Sequence, residues 1–325
     1  MKKIISIITL ILVTFANSFV LAREEESNDV ARIGSNYYAT LSEAISSAGT
    51  GDTITFIRGA KLSEKLSVPK GKKIIFDLNK KTLELADISD NYALVVGGTL
   101  TITGNGKINI PGLYGIGVQP SGNLTIENGT FNQTTGDYLI GNWGATTIYD
   151  GTFNANYSAV NGFAGNVTIE YGKFTGNEWP LVVGNVLVEG GIYNKDVSNY
   201  LSSDSVILTV KVEQDDINKF VVAIIPKGSE IDKERFKEAL ISLSDTLIPT
   251  GYIIVDFYTD KNLTTEFDFN NSIDEDTTIY LKLKNTVEPL PVTSDINLIF
   301  IVETTLIGIV GIVIILRKKF LNNCL

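Results

Sequence analysis

Carboxylates are the side chains through which this sequence could carry out chemistry. The 325 residues include no His and a single Cys, Cys324, which excludes Ser-His-Asp and Cys-His catalysis and His-based metal sites. Glu127, Asp150 and Glu170 recur in the middle of the chain at steps of 23 and 20 residues. If a fold grouped them across adjacent turns, they could hydrolyse a glycosidic bond, one as the acid and another as the base or nucleophile.

A solvated acidic face is the simpler interpretation of the same residues. A polysaccharide lyase would need an Arg or Lys base beside acidic ligands for calcium. Arg32 and Arg58 precede the repeats of residues 97–194, and Lys107 and Lys173 are not near an acidic cluster in the repeat register. We therefore predict a protein that is not an enzyme and has no catalytic residue, metal site or cofactor. A polysaccharide lyase or a glycoside hydrolase is the alternative.

Two tryptophans, Trp143 and Trp179, are the candidate contacts for a ligand. Both lie between predicted strands, where an exposed indole can stack on a sugar ring or can equally cover the flank of the fold. The formal net charge of −10 argues against nucleic acid or anionic lipid as a partner. The sequence thus favours a host or bacterial surface glycan, or a protein, as the partner.

Five segments between residues 97 and 194 repeat the pattern apolar-x-apolar-x-x-Gly-x-aromatic-Asn. Their like positions form columns with steps of 24, 22, 21 and 19 residues, as in Ile102, Ile126, Ile148, Ile169 and Val188. Apolar residues alternate within each segment, which is the periodicity of a β-strand. No segment can bury its own apolar face, so we predict stacked turns of about 20 residues that form a parallel β-helix. An antiparallel sandwich is the alternative.

Three further columns predict how the turns stack. Glycines predict a repeated corner: Gly129, Gly151, Gly172 and Gly191. Asparagines predict a ladder of side-chain hydrogen bonds, which Thr175 interrupts: Asn109, Asn132, Asn154 and Asn194. The third column holds mostly aromatic side chains: Ile108, Phe131, Phe153, Phe174 and Tyr193.

The segment before the repeats predicts a cap for the solenoid. Thr40-x-x-Glu43 is a capping-box pattern that opens a short amphipathic helix. Together with "IIFDLNKKTLEL", the repeats and the closing "GGIYNKDVSNYL", this segment resembles the pectin-lyase-like right-handed β-helix domains of Gram-positive surface proteins over residues 30–224. The resemblance implies an all-β, right-handed parallel β-helix in a domain at 23–224, with an N-terminal cap and closing strands. It implies little about function, since this fold serves lyases, hydrolases, adhesins and stalks.

Residues 225–285 resemble a Listeria–Bacteroides repeat, also called the internalin-type B repeat. The matching motifs are Gly251-Tyr252, Phe257-Tyr258-Thr259-Asp260, Phe267-Asp268-Phe269 and Asp276-Thr277-Thr278-Ile279-Tyr280. Phe257 and Leu283 stand where the family has tryptophans. The resemblance implies a small β-grasp-like spacer domain and assigns no catalytic residue.

The two ends of the chain predict export. Lys2 and Lys3 precede an apolar run, which predicts a signal peptide at 1–22 that is cleaved after Ala22. Residues 296–316 have the length of a transmembrane helix despite Glu303, and the basic segment 317–325 then stays in the cytoplasm.

Within the linker 286–295, the motif Leu290, Pro291, Val292, Thr293, Ser294 precedes the apolar span and the basic tail. This three-part arrangement resembles a sortase cell-wall sorting signal, except that Ser294 stands where the family has Gly. It implies sortase and peptidoglycan as partners, or the membrane itself if the anchor is not cut. The sequence therefore predicts a protein of Gram-positive type, displayed at the cell wall or membrane surface, that acts in adhesion or surface interaction.

Overall fold

The computed structural model describes residues 28–89, 91–177, 181–243 and 246–286. They form two compact units, one holding the described residues up to 250 together with 254–283, the other holding 251–253 and 284–286. Within these ranges, no helix has the length and apolar character needed to cross a membrane. The cleavage site at Ala22, Trp179, the sorting motif and the 296–316 segment lie outside the described residues. Those predictions, and the domain boundaries, stay predictions.

The first unit is all-β and is built on a parallel β-helix of the right-handed type with about six turns. The two helices are α1 (Leu41–Ser47) and α2 (Lys233–Ile241), and a 3₁₀-helix spans Ser198–Tyr200. The strands in chain order are β1 (Ala31–Ile33), β2 (Asn36–Tyr38), β3 (Asp52–Phe56), β4 (Ala60–Lys61), β5 (Leu66–Val68), β6 (Lys73–Asp77), β7 (Thr82–Glu84), β8 (Leu94–Val96), β9 (Thr99–Thr103), β10 (Lys107–Ile110), β11 (Tyr114–Val118), β12 (Asn123–Ile126), β13 (Thr130–Gln133), β14 (Tyr138–Asn142), β15 (Ala145–Ile148), β16 (Thr152–Asn154), β17 (Ser158–Ile169), β18 (Lys173–Thr175), β19 (Val182–Val188), β20 (Gly191–Tyr193), β21 (Ser205–Gln214), β22 (Ile217–Pro226), β23 (Tyr252–Tyr258) and β24 (Thr277–Asn285).

Each turn contributes strands to three faces, and each repeated segment, whose alternation predicted a strand, supplies two of them on either side of the glycine corner. The first face stacks β3, β6, β9, β12 and β15, and the second stacks β4, β7, β10, β13, β16, β18 and β20. The third face stacks β5, β8, β11 and β14. Strands β17 and β19 are long enough to bend, so their first halves continue the third face and their second halves continue the first. Because the pairing is parallel and in register, like residues of successive turns lie above one another.

The predicted aromatic column forms a stack inside the second face. Phe131, Phe153, Phe174 and Tyr193 are fully buried. Their ring centroids are 4.9, 4.6 and 4.9 Å apart, with interplanar angles of 4°, 6° and 5°. Isolated aromatic pairs prefer offset or edge-to-face contacts. Here the in-register backbone ladder fixes the ring spacing at the strand spacing of about 4.8 Å, so the rings lie face to face.

The predicted corner and ladder lie on either side of this stack. All four glycines of the corner column have positive φ, as in Gly151 with φ +147°. Residues with a side chain rarely adopt this backbone conformation. In the ladder, Asn132 Nδ2 donates to Asn109 Oδ1 at 3.0 Å and Asn154 Nδ2 donates to Asn132 Oδ1 at 2.8 Å. Thr175 continues the ladder rather than breaking it, because its hydroxyl donates to Asn154 Oδ1 at 2.8 Å.

A polar pair is buried where the third face meets the first, between Asn142 at the end of β14 and Thr146 in β15. Thr146 occupies a column of Leu and Val and is buried. Its hydroxyl donates to Asn142 Oδ1 at 2.9 Å, while Asn142 Nδ2 donates to the carbonyls of Gly144 and Asn166. Because each polar group finds a partner, the pair does not leave an unsatisfied donor in the core.

The ends of the solenoid are covered by local elements. Helix α1 begins at the predicted capping box, in which the Glu43 N–H donates to the Thr40 hydroxyl and the Thr40 N–H donates to the Glu43 carboxylate, each at 3.2 Å. At the other end, the closing strands β21 and β22 form an antiparallel hairpin, and β22 also pairs antiparallel with β20. Strand β24 then pairs parallel with β21 through Leu208–Lys211 and Thr277–Tyr280.

Candidate functional site

Five aromatic rings cluster on the outside of the third face. Tyr114 and Tyr138 occupy the same position of β11 and β14, and their rings stack at 6.1 Å with an interplanar angle of 18°. Tyr92 lies 5.3 Å from Tyr114 and makes an edge contact with Trp143 at 5.6 Å. Phe163 stacks on Trp143 at 4.5 Å with an interplanar angle of 5°. We call these five rings the aromatic surface.

Two glycines make room for this cluster. Gly117 and Gly141 pair with each other in β11 and β14, and the ring of Tyr92 lies directly against them. A Cβ at either position would meet Tyr92 atoms closer than real Cβ contacts allow. The ring of Tyr92 therefore packs directly on the backbone of the two glycines, and the other four rings pack around Tyr92.

The aromatic surface borders an open cleft of about 510 Å³. Tyr92, Tyr114 and Trp143 line its apolar side, and Lys65 and Gln119 stand among its polar residues. Phe163 is 44% exposed and Trp143 is half-buried, so part of each ring faces solvent. An aromatic floor with a few amide and amine groups at its edge is the usual composition of a site for a small organic ring.

Tyr92 and Tyr114 stay neutral over a wide pH range, because their pKa values are raised. Burial raises the pKa of Tyr92, and the neighbouring phenols of Tyr114 and Tyr138 raise it further. Burial also raises the pKa of Tyr114, whose hydrogen bond with Asp137 and nearby carboxylate charge act in the same direction. Both rings therefore present neutral faces on which a ligand ring can pack, while the single phenolic proton of Tyr114 is donated to Asp137.

The predicted carboxylates stand on the first face and at its corner, but they do not meet. Glu127, Tyr149 and Glu170 share one outward column. The backbone N–H of each donates to a carbonyl in the turn before, that of the residue just ahead of the equivalent position, at 2.8–2.9 Å. Tyr149 therefore separates Glu127 from Glu170 by two strand spacings, or about 9.6 Å of backbone. Asp150 lies one position later, and its carboxylate accepts a hydrogen bond from Gly151 N at 2.7 Å.

Glu189 is the carboxylate that the sequence analysis missed. It follows Val188 as Glu170 follows Ile169, and its N–H donates to the Ile169 carbonyl at 2.8 Å. A hydrogen bond with Glu189 raises the pKa of Glu170, and partial burial and the nearby negative charge add to it. Two carboxyl groups in direct hydrogen-bond contact are closer than the roughly 5–9.5 Å that glycosidases place between theirs. No metal-ligand cluster occurs among the described residues.

The structure thus brings one of the two predicted tryptophans into a cluster. Trp143 belongs to the aromatic surface, and Trp179 lies outside the described residues. The three tyrosines and Phe163 were missed because they fall outside the repeated pattern of the first and second faces. Their one sequence signal is that Tyr114 and Tyr138 begin equivalent third-face strands.

Comparisons of this chain with protein-family models, with curated proteins and with solved structures find no match.

Proposed function

We propose that this protein is an exported, surface-displayed adhesin that holds a glycan on the aromatic surface without cleaving it. The observation that carries the proposal is the cluster of Tyr92, Tyr114, Tyr138, Trp143 and Phe163 beside an open cleft of about 510 Å³. Phe163 is exposed and the other four rings are half-buried, and a contiguous apolar patch that reaches solvent marks a site of interaction. Sugar rings present apolar C–H faces that stack on indole and phenol rings, and their hydroxyls suit the polar rim.

The separation of the carboxylates supports a binding role over a catalytic one. Glu127 and Glu170 have Tyr149 between them, and Asp150 is engaged with the backbone of its own corner. None of these carboxylates lines the cleft beside the aromatic surface. A polysaccharide lyase or glycoside hydrolase remains the alternative, and it is tested in the same experiment.

The location in this proposal rests on the sequence. A signal peptide cleaved after Ala22 would export the chain, and the motif at Leu290–Ser294 before an apolar span would bring it to a sortase and the peptidoglycan, or leave it in the membrane. The pectin-lyase-like β-helix would then be the displayed domain. The region resembling an internalin-type B repeat would act as the spacer, in a Gram-positive type of cell envelope.

The test is retention of the purified protein on immobilised plant, mucin and bacterial-wall polysaccharides, with and without calcium. We expect retention on at least one glycan and a loss of tenfold or more in affinity with Trp143→Ala. Tyr37→Ala is the matched control, because Tyr37 is an exposed aromatic residue on β2, outside the aromatic surface. Retention that is equal in both variants would refute the proposed site. Release of sugar ends that disappears in Glu170→Gln would instead favour the enzymatic alternative.

A further inference from the structure

A second cavity, of about 330 Å³, lies at the last turn of the solenoid. The corner residues Glu170 and Tyr171 line one side, and the segment from Ala223 to Phe236 lines the other. All of these residues belong to the first compact unit. This cavity shares no lining residue with the cleft beside the aromatic surface, so a ligand bound here would be independent of the proposed glycan site.

The floor of this cavity is apolar. Ile192, Ala223, Ile224 and Phe236 line it, and each of them is buried. Tyr171 stands at its edge and is 39% exposed. Such a floor accommodates an aliphatic stem or a small apolar side chain, since burial of apolar surface is the main favourable contribution to binding.

The rim of the cavity is predominantly acidic. Glu170 and Glu230 form no salt bridge with any described residue. Asp232 accepts the Arg235 backbone N–H at 2.9 Å as the N-cap of α2. The guanidinium of Arg235 is the single cation of the lining, against three carboxylates. A hydrogen bond with Glu189 raises the pKa of Glu170, and burial and the negative charge of Glu189 act in the same direction, so acidic groups are concentrated at this edge.

The acidic surface continues on the far side of the segment Glu230–Asp232. A cavity of about 830 Å³ shares these three residues and is also lined by Glu234, Glu266 and Asp268. Its one lysine, Lys233, is held by Asp256 at 2.7 Å. The segment Glu230–Asp232 is thus a wall that both cavities share, with carboxylates on each side of it. We call the first cavity and this shared wall the acidic groove.

We propose that this groove binds a basic amphipathic peptide segment of a partner protein. Lysine or arginine side chains of the segment would reach Glu170 and Glu230, and its apolar side chains would pack on Ile192, Ile224 and Phe236. The sign of the charge selects this occupant, because a nucleic acid or an acidic glycan would be repelled by the same carboxylates. The stems of lysine and arginine suit the floor, since they bury their methylene groups while the charged end stays at the rim.

Three labelled peptides of equal length, alternating Leu with Lys, Ser or Glu, provide the test. Fluorescence anisotropy with the intact purified protein would report their affinities at 50 mM and 500 mM NaCl. We expect the Lys peptide to bind at least tenfold more tightly than the other two and to weaken at high salt. The double variant Glu170→Gln/Glu230→Gln should lose tenfold or more in affinity for the Lys peptide.

The matched control is Glu64→Gln/Glu275→Gln, which removes the same charge at exposed positions outside both cavities. It should bind the Lys peptide within twofold of the unmodified protein, and both double variants should show unchanged circular dichroism. Equal binding of the three peptides, or an equal loss in the two double variants, would overturn the proposal. Binding by the Glu170→Gln/Glu230→Gln variant at the original affinity would overturn it as well.

Discussion

The aromatic stack of the second face makes a quantitative prediction about stability. Phe153 has a ring on each side, at 4.9 Å from Phe131 and 4.6 Å from Phe174. Phe131 has a ring on one side only, because its partner in the preceding turn is Ile108. Both phenylalanines are fully buried, so replacing either by Leu removes a similar apolar area. The two variants differ mainly in the number of ring pairs that they lose.

Each ring pair contributes about 0.5–1.5 kcal/mol beyond its burial. Phe153→Leu should therefore be less stable than Phe131→Leu by about that amount, or by a few degrees in Tm for a chain of this size. Urea unfolding monitored by circular dichroism would give the free energies of unfolding, with equal m values as the check that the unfolding transition is unchanged.

A double-mutant cycle sharpens this prediction. Phe131 and Phe153 are in contact and should show a coupling of about 0.5–1.5 kcal/mol. Phe131 and Phe174 are separated by a whole turn, so their substitutions should add within about 0.5 kcal/mol. Equal couplings in the two cycles, or a larger loss at Phe131 than at Phe153, would refute the argument that stacked pairs stabilise this face.

Three further substitutions test other parts of the structure. Gly141→Ala should displace Tyr92 and weaken glycan retention at least as much as Trp143→Ala, which the retention assay would show; unchanged retention would contradict the contact. The raised pKa of Glu170 means that the folded state binds its proton more tightly than the unfolded chain, so the resulting stability is present in acid and lost as pH rises above the ordinary value of 4.5. Glu170→Gln should therefore become more stable than the unmodified protein towards neutral pH, and parallel Tm profiles for the two proteins would disprove the shift. Thr40→Ala should cost about 1 kcal/mol in urea unfolding by removing the cap of α1, whereas a loss near zero would mean that packing alone holds this helix.

The repeated columns made the solenoid predictable from sequence. Strand periodicity recurs at a nearly constant step, and only stacking buries the apolar face of each turn, so the inward positions such as Ile126 and Phe153 could be identified. The corner was predictable at Gly151 because its backbone conformation disfavours other residues. The short strands of the second face, which follow these corners, were not predicted as strands separate from those of the first face. Three or four residues are too few to show a clear periodicity.

The aromatic surface was less predictable, because its rings come from different positions of the turn. Tyr92 precedes β8, Trp143 follows β14 and Phe163 lies within β17. Only the bend of β17 and the bare backbone at Gly141 bring these three side chains together. Such a cluster depends on the path of the chain between turns, which a one-dimensional pattern does not contain.

The similarity of the turns also allows misfolding in which one turn pairs with the wrong neighbour. A chain displaced by one whole turn would place Phe against Phe and Asn against Asn again, so these columns alone cannot distinguish the native alignment from its neighbours. Residues that depart from the repeat do distinguish the native alignment. The ring of Tyr92 packs on the bare backbone of Gly117 and Gly141. The same column holds Val95 in the turn before and Asn161 in the turn after, so a slipped turn would place a side chain against that ring. These irregular residues specify which turn packs on which. Replacing them by the consensus residues of the repeat would give a more uniform sequence that folds to several alignments.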